Sequence, residues 1–238
     1  DRKPTWYSAV PTMHQHLLEA VLEREKQHGR PYENSLQLVR NCSAALLPHV
    51  AGSLERAFSC VVMPTYAMTE SMPIASNPRT PDRGQRKLRA EPRGEGGGSV
   101  GSVGMSGGPR IRLCTDSGGP VPPFCEGEVC VQGECVTLGY ELRPHMETDP
   151  NIEAFHREEG GGKWLRTGDK GWVDSDGFLA LTGRFKEIIN RGGEKVSPLE
   201  VEEALRTHKG VRDMIAFAAP HEELGETVGA AVVPVAGG

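Results

Sequence analysis

The chain has 238 residues, with 27 Lys and Arg against 32 Asp and Glu, and a net charge of −5. That acidic balance argues against a general nucleic-acid or anionic-membrane surface, and no apolar run approaches the ~20 residues that span a bilayer. The length allows one large domain or one and a half. Hydrophobic content is low at 37%, the 30 glycines and 18 prolines are both high, and most of that excess lies in one region, so any disorder is local. The first residues, DRKPTWYSAV, hold no signal-peptide core. Both ends read as cut, and a piece of a longer gene product is expected.

Six cysteines stand at positions 42, 60, 114, 125, 130 and 135. None forms C-x-x-C and the spacings do not match a zinc ribbon. Buried or half-buried reduced thiols are expected, which points to a reducing compartment.

In chain order, residues 5–10 (TWYSAV) read as a strand ended by Pro11. A helix follows from about Thr12 to Lys26, with Leu17, Leu18, Val21 and Leu22 as its apolar face. His14 and His16 sit at its start, where histidines are more often surface groups than pocket walls. Residues 36–39 read as a short buried strand leading into Arg40-Asn41-Cys42-Ser43-Ala44-Ala45, whose small side chains let a flat ligand approach the backbone. A helix over 48–58 carries Val50, Leu54 and Phe58 on one face, and residues 60–64 form the next strand. Strand, helix, strand predicts parallel α/β pairing with ligand loops at one end.

Residues 77–108 break the pattern with Pro78, Pro81, Pro92, a basic run over 83–93 and Gly96-Gly97-Gly98, a composition expected of a flexible surface insertion. Short strands are predicted over 111–113, 127–131 and 136–140, then a short helix over 151–155. A meander follows, with strands over 170–173 and 178–181 joined by the Asp176-Gly177 turn. Gly183-Arg184-Phe185-Lys186 then leads to a strand over 187–190 and a tight Gly192-Gly193 turn. The next helix is capped by Ser197, with Pro198 at its first position and Glu200 completing a capping box. Strands over 214–218 and 228–233 close a small α+β unit.

Three stretches carry chemistry. Tyr66-Ala67-Met68-Thr69-Glu70 offers a ring to stack on a base, a hydroxyl for a phosphate and a carboxylate for Mg²⁺. Asp169, after Thr167-Gly168, suits a ribose diol, and Arg184 is a cation suited to ribose or phosphate oxygens. Taken singly each is weak, because an Asp in such a turn is most often only a turn residue.

In this order, YAMTES (66–71), LRTGDKGW (165–172) and GRFKEIINRGGEKVSPLEVEEAL (183–205) resemble the adenylate-forming superfamily of acyl-CoA synthetases, luciferases and peptide-synthetase adenylation domains. TWYSAVPTMHQ, VRNCSAAL, the SNP after YAMTES and INRGGEKVSP look like its peroxisomal-type oxalate–CoA ligase branch. The resemblance implies an α/β plus α+β fold. Residues 1–185 would be part of the large adenylation domain, with a parallel α/β layer, an antiparallel β subdomain and a flexible insertion over about 79–103. Residues 186–238 would begin a small C-terminal lid. It also implies a two-step reaction with ATP, Mg²⁺ and CoA that turns a small-molecule carboxylate into an acyl-adenylate and then a thioester.

Carried over residue by residue, the resemblance gives Tyr66 to adenine, Thr69 to phosphate, Glu70 to Mg²⁺, and Asp169 with Arg184 to the ribose. Ser43 and Ala44 match the loop between adenine and acyl pocket, and His14 falls near the acyl-pocket wall. Lys186 matches the hinge, and Gly192 and Gly193 the loop that approaches the pantetheine arm. The family's phosphate loop and its C-terminal catalytic lysine are not in these 238 residues, so the piece alone is expected not to adenylate. A truncated homologue serving as a binding module, and a ligase for a medium-chain or aryl acid, stay open as alternatives. The compartment expected is cytoplasmic or peroxisomal.

Overall fold

The computed structural model describes residues 3–78, 88, 101–122, 124–205 and 208–235. It begins with a parallel α/β layer. Strand β1 (Trp6–Ala9) is followed by α1 (Pro11–His28), β2 (Leu38–Asn41), α2 (Pro48–Phe58) and β3 (Val61–Met68). Strands β1, β2 and β3 run parallel, with Ala9 opposite Asn41 and Asn41 opposite Pro64, so β1 and β2 end level while β3 runs on to Met68. Each helix starts with proline at its first turn, where the missing N–H has no partner to lose. Helix α1 stops at Gly29, left-handed at φ 65°, whose N–H bonds to the Glu25 carbonyl at 2.8 Å. Val50, Ala51, Leu54 and Phe58 of α2 pack with Val39 and Val62 of the sheet and Val21 of α1. Burying side chains such as Leu54 and Phe58 contributes ~2 kcal/mol each.

An antiparallel region continues the same sheet: β4 (Ser71–Ser76), β5 (Ser102–Ser106), β6 (Arg110–Cys114), β7 (Gly127–Gln132), β8 (Phe155–Arg157) after the short helix α3 (Pro150–Ala154), β9 (Lys163–Val173) and β10 (Leu179–Arg184). The strand order is β1-β2-β3-β4-β5-β10-β9-β7-β6, with β8 on β9. Its core joins Ile74, Val103, Val129, Val131, Phe155, Leu165 and Leu179. A second sheet, β12-β11-β14-β13, is built from β11 (Ile189–Arg191), β12 (Glu194–Val196), β13 (Val211–His221) and β14 (Gly225–Pro234), with α4 (Pro198–Leu205) against β13. A large mixed sheet beside a small antiparallel one is the α/β plus α+β class expected.

Several local expectations are corrected. The strand read at 36–39 lies two residues later. Tyr66 is not on a loop: it belongs to β3, and only Thr69-Glu70 turn before β4. Residues 136–140 are not a strand and pair only through the single bridge Ser71–Val136. The strand expected over 170–173 is the end of a longer one, β9, which already begins at Lys163 and runs through Thr167-Gly168-Asp169. On α1, Val21 is buried, but Leu17 and Leu22 are 42% and 50% exposed, so the apolar stripe is narrower than its sequence. Leu205 of α4 is likewise exposed, and that helix ends before His208. Most of the insertion expected at 79–103 lies outside the described residues, but Ser102 and Val103 are buried in β5.

Gly104 of β5 has φ 98°, and a Cβ there would sit 2.0 Å from the Ser76 carbonyl carbon and 2.2 Å from the Asn77 nitrogen. Backbone cannot yield as a side-chain tip does. Gly104→Ala is therefore expected to cost ~3 kcal/mol through strain and overpacking together, read as a lower urea midpoint at unchanged slope.

Candidate functional site

The level ends of β1 and β2 lead to the loop after β2, beside the part of β3 that runs on to Met68. Asn41, buried at 1% exposure, donates from Nδ2 to the Ala44 carbonyl at 2.8 Å and accepts at its own carbonyl from Thr65 Oγ1 at 2.7 Å. Those bonds fasten the small-residue loop to β3 one residue before Tyr66. Ser43 is exposed and held left-handed at φ 69°, a cost most residues avoid and a frequent mark of functional loops.

Asp169 sits on a bulge. In the β7–β9 ladder Cys130 faces Arg166 and Glu128 faces Lys170, so Val129 spans the three residues Thr167-Gly168-Asp169. Bulges re-aim side chains out of a ladder, and here Gly168 takes φ 74° to allow it. The bulge is held from inside. Thr167 Oγ1 donates to the Val129 carbonyl at 2.8 Å and accepts from Asp169 N–H at 3.1 Å. Glu128, only 2% exposed, accepts from Gly168 N–H at 3.3 Å on Oε1 and from Arg166 Nε at 2.8 Å on Oε2.

The Asp169 carboxylate is then gripped from two sides. Tyr66 O–H donates to Oδ2, joining strands 103 residues apart. Arg184 faces Asp169 across the β9–β10 ladder and donates from Nε to Oδ1 at 3.2 Å. Burial, and then the Asp169 charge, push the Tyr66 phenol far above its ordinary value, so it stays a donor. Arg184 is 68% exposed and the Asp169 side chain 14%, so one end of this triad meets solvent. The Tyr66 ring itself is largely covered by the core.

Glu70, at the β3–β4 turn, accepts from Tyr140 O–H at 2.7 Å on Oε1. Burial, and then this bond, push Tyr140 up to about 12. Thr69 is exposed at the same turn. Lys186 is exposed in the turn between β10 and β11, and Gly192 and Gly193 form the exposed β11–β12 turn at φ 58° and 98°. So Tyr66, Asp169 and Arg184 come together and Glu70 follows on the same hairpin, whereas among the described residues no hydrogen bond or ion pair joins Lys186, Gly192 or Gly193 to that group. Glu128 and Tyr140 were missed by sequence reasoning. Glu128 stands in an alternating run that reads as polar-outward, and Tyr140 was placed on a strand that does not form.

His14 is fully buried, with Nδ1 3.1 Å from Tyr7 Oη and Nε2 without a hydrogen-bond partner. Burial pulls its pKa below 6.5, against a smaller opposing pull from the Ala9 and Arg40 carbonyls. Protonation is thus easier in the unfolded chain. The stability His14 contributes is complete above 6.5 and is lost as pH falls toward the lower folded value. His156, lowered first by burial and then by Arg166, acts in the same sense. His14→Gln is expected to flatten the fall in melting temperature between pH 7.5 and ~5, and a parental slope would refute this.

Glu128, Cys130 and His156 place possible ligand atoms within 4.8 Å of one another. Arg166 occupies the carboxylate at 2.8 Å, however, so the cluster is an ion network, with a cation already where a metal would bind.

The AMP-binding enzyme family model matches residues 1–141. The chain belongs to the AMP-binding enzyme family. It is 40% identical over 230 residues to an oxalate–CoA ligase of Arabidopsis thaliana, covering 97% of this chain and 40% of that one. To an oxalate–CoA ligase of Saccharomyces cerevisiae it is 38% identical over 229 residues, 96% of this chain and 37% of the relative. The structure superposes on ATP-bound MatB from Rhodopseudomonas palustris with a TM-score of 0.78 at 26% identity, over 99% of this chain and 42% of that one. The chain thus spans about two fifths of the length of these relatives. The small-residue loop and the Tyr66 hairpin lie within the matched family segment; Asp169 and Arg184 lie beyond it. No helix among the described residues is long and apolar enough to cross a membrane.

Proposed function

We propose that this chain carries the nucleotide site of an ATP-dependent carboxylate–CoA ligase, with oxalate as the acid. The observation that supports it most is the Tyr66–Asp169–Arg184 triad in a member of this family. A carboxylate has about four lone-pair sites on two oxygens. With one taken by Tyr66 and one by Arg184, Asp169 keeps acceptor capacity for two ribose hydroxyls. Tyr66 fixes the carboxylate, and adenine is assigned to the same residue. Arg184 adds a cation at the solvent side. Ser43 and Ala44 bring backbone close to the ligand, and Thr69 supplies a hydroxyl for phosphate.

The substrate carboxylate attacks the α-phosphorus of ATP, the bond to the β-phosphate breaks, and pyrophosphate leaves. The CoA thiol then attacks the acyl carbon, loses its proton and expels AMP. Glu70, a hard oxygen donor on a half-buried turn, fits a Mg²⁺ ligand. Bound there, Mg²⁺ would offset charge on the phosphates.

Residues 1–185 form part of the adenylation domain and 186–238 part of the lid in this reading. Lys186, exposed in the turn joining the two sheets, is the hinge. Gly192 and Gly193 form the turn that the pantetheine arm would pass, and His14, fully buried, would act on the acyl side only through the residues that cover it. Oxalate is favoured by the two relatives that carry its name, and the six free thiols suit a reducing cytoplasm or peroxisome. The test is acid-dependent exchange of labelled pyrophosphate into ATP by the gene product containing this chain. Oxalate is expected to give the highest kcat/KM in a panel with medium-chain and aryl acids. A preference for either other class would overturn the assignment.

A further inference from the structure

We propose that Tyr140 is a positioning residue that aims the Glu70 carboxylate at its cation, with Asn151 holding Tyr140 in place. The inference rests on Glu70 being the Mg²⁺ ligand. The short segment 137–140 holds Glu70 at two points. Thr137 N–H donates to the Glu70 carbonyl at 2.7 Å, and Tyr140 O–H donates to Oε1 at 2.7 Å. Backbone and side chain of the same residue are therefore fixed by one loop that is not part of either sheet. A single bond to one oxygen orients a carboxylate without neutralising it, and Oε2 is the atom assigned to the cation.

The loop is itself clamped. Asn151 accepts from Tyr140 N–H on Oδ1 at 2.7 Å and donates from Nδ2 to the Tyr140 carbonyl at 2.9 Å, so one side-chain amide closes both backbone groups of Tyr140. Asn151 is set by Asp149, whose Oδ1 accepts from both its N–H and its Nδ2 at 2.8 Å. Gly139, at φ 146°, leaves room for this: a Cβ there would lie 2.6 Å from Asn151 Oδ1. Tyr140 is 40% exposed, so packing alone does not account for its placement. Such outer partners of a metal ligand tune affinity as well as orientation.

Tyr140→Phe keeps the ring and removes only the donor. In the full gene product, the dissociation constant for Mn²⁺ in the presence of ATP, read by electron paramagnetic resonance, is expected to rise about tenfold. The Mg²⁺ concentration for half-maximal pyrophosphate exchange should rise with it, while the KM for the acid and the melting temperature stay at parental values. Asn151→Ala should move the same two metal readings in the same direction, and it stands in if Tyr140→Phe folds poorly. Parental metal affinity in both variants, with affinity lost in Glu70→Gln, would overturn the role of Tyr140 and leave the Glu70 assignment intact. Parental affinity in Glu70→Gln itself would overturn both.

Discussion

Asp169→Ala is expected to raise the KM for ATP on the order of 10²-fold, because charge-assisted hydrogen bonds to the ribose worth ~3 kcal/mol in total are lost. If the carboxylate holds the ribose equally in ground and transition states, kcat should change much less than KM. Steady-state kinetics of pyrophosphate exchange against ATP concentration separates the two. Asp169→Asn is the finer probe. It keeps an oxygen for Tyr66 but loses the charge that faces Arg184, so its KM should lie between parent and Asp169→Ala. A parental KM in both variants would remove Asp169 from the site.

Stability and binding separate at this triad. Arg184 is 68% exposed, and a surface ion pair contributes ~0–1 kcal/mol to folding. Arg184→Gln should therefore leave the melting temperature nearly unchanged while weakening nucleotide affinity. Tyr66 belongs to the core as well as the site, so Tyr66→Ala would mix a cavity with a lost donor. Tyr66→Phe is the informative change there.

Residue patterns carried some features well and others poorly, for physical reasons. Helix α2 was legible end to end because proline starts it and its buried positions recur at helical spacing. The Gly192-Gly193 turn and the Ser197 cap were legible because both are local: Ser197 Oγ accepts from Glu200 N–H at 3.4 Å as a cap should. The same hydroxyl also donates to the Thr182 carbonyl of β10, a long-range bond that no window could show. Thr167-Gly168-Asp169 looks like a turn because its residues are turn formers, yet it is a bulge whose existence depends on β7 alongside. The candidate site residues were chosen by type and order, which leaves the residues that support them unmarked. Tyr140 reaches Glu70 across 70 positions and Glu128 reaches Gly168 across 40, and pairing at that distance leaves no periodicity to detect.

Glu128→Ala is expected to destabilise the antiparallel side strongly, costing ~3 kcal/mol. The carboxylate is 2% exposed and satisfies Arg166 at 2.8 Å and Gly168 N–H at 3.3 Å, with His156 Nε2 3.6 Å away. Removing it leaves a guanidinium and a backbone donor without their buried acceptor. The cost lies at the low end of the range for a broken buried pair because the Arg166 side chain is 35% exposed and water can reach it. Glu128→Gln should cost less, since it still accepts from Gly168 but cannot balance Arg166. The loss should also extend to nucleotide binding, because Gly168 precedes Asp169 and the bulge that aims it is held from Glu128. Denaturant melts and the KM for ATP should thus worsen together in Glu128→Ala. Asp169→Ala, by contrast, should move the KM with a much smaller change in stability. A Glu128 variant that loses stability yet keeps a parental KM would show that the bulge holds its shape without the buried carboxylate.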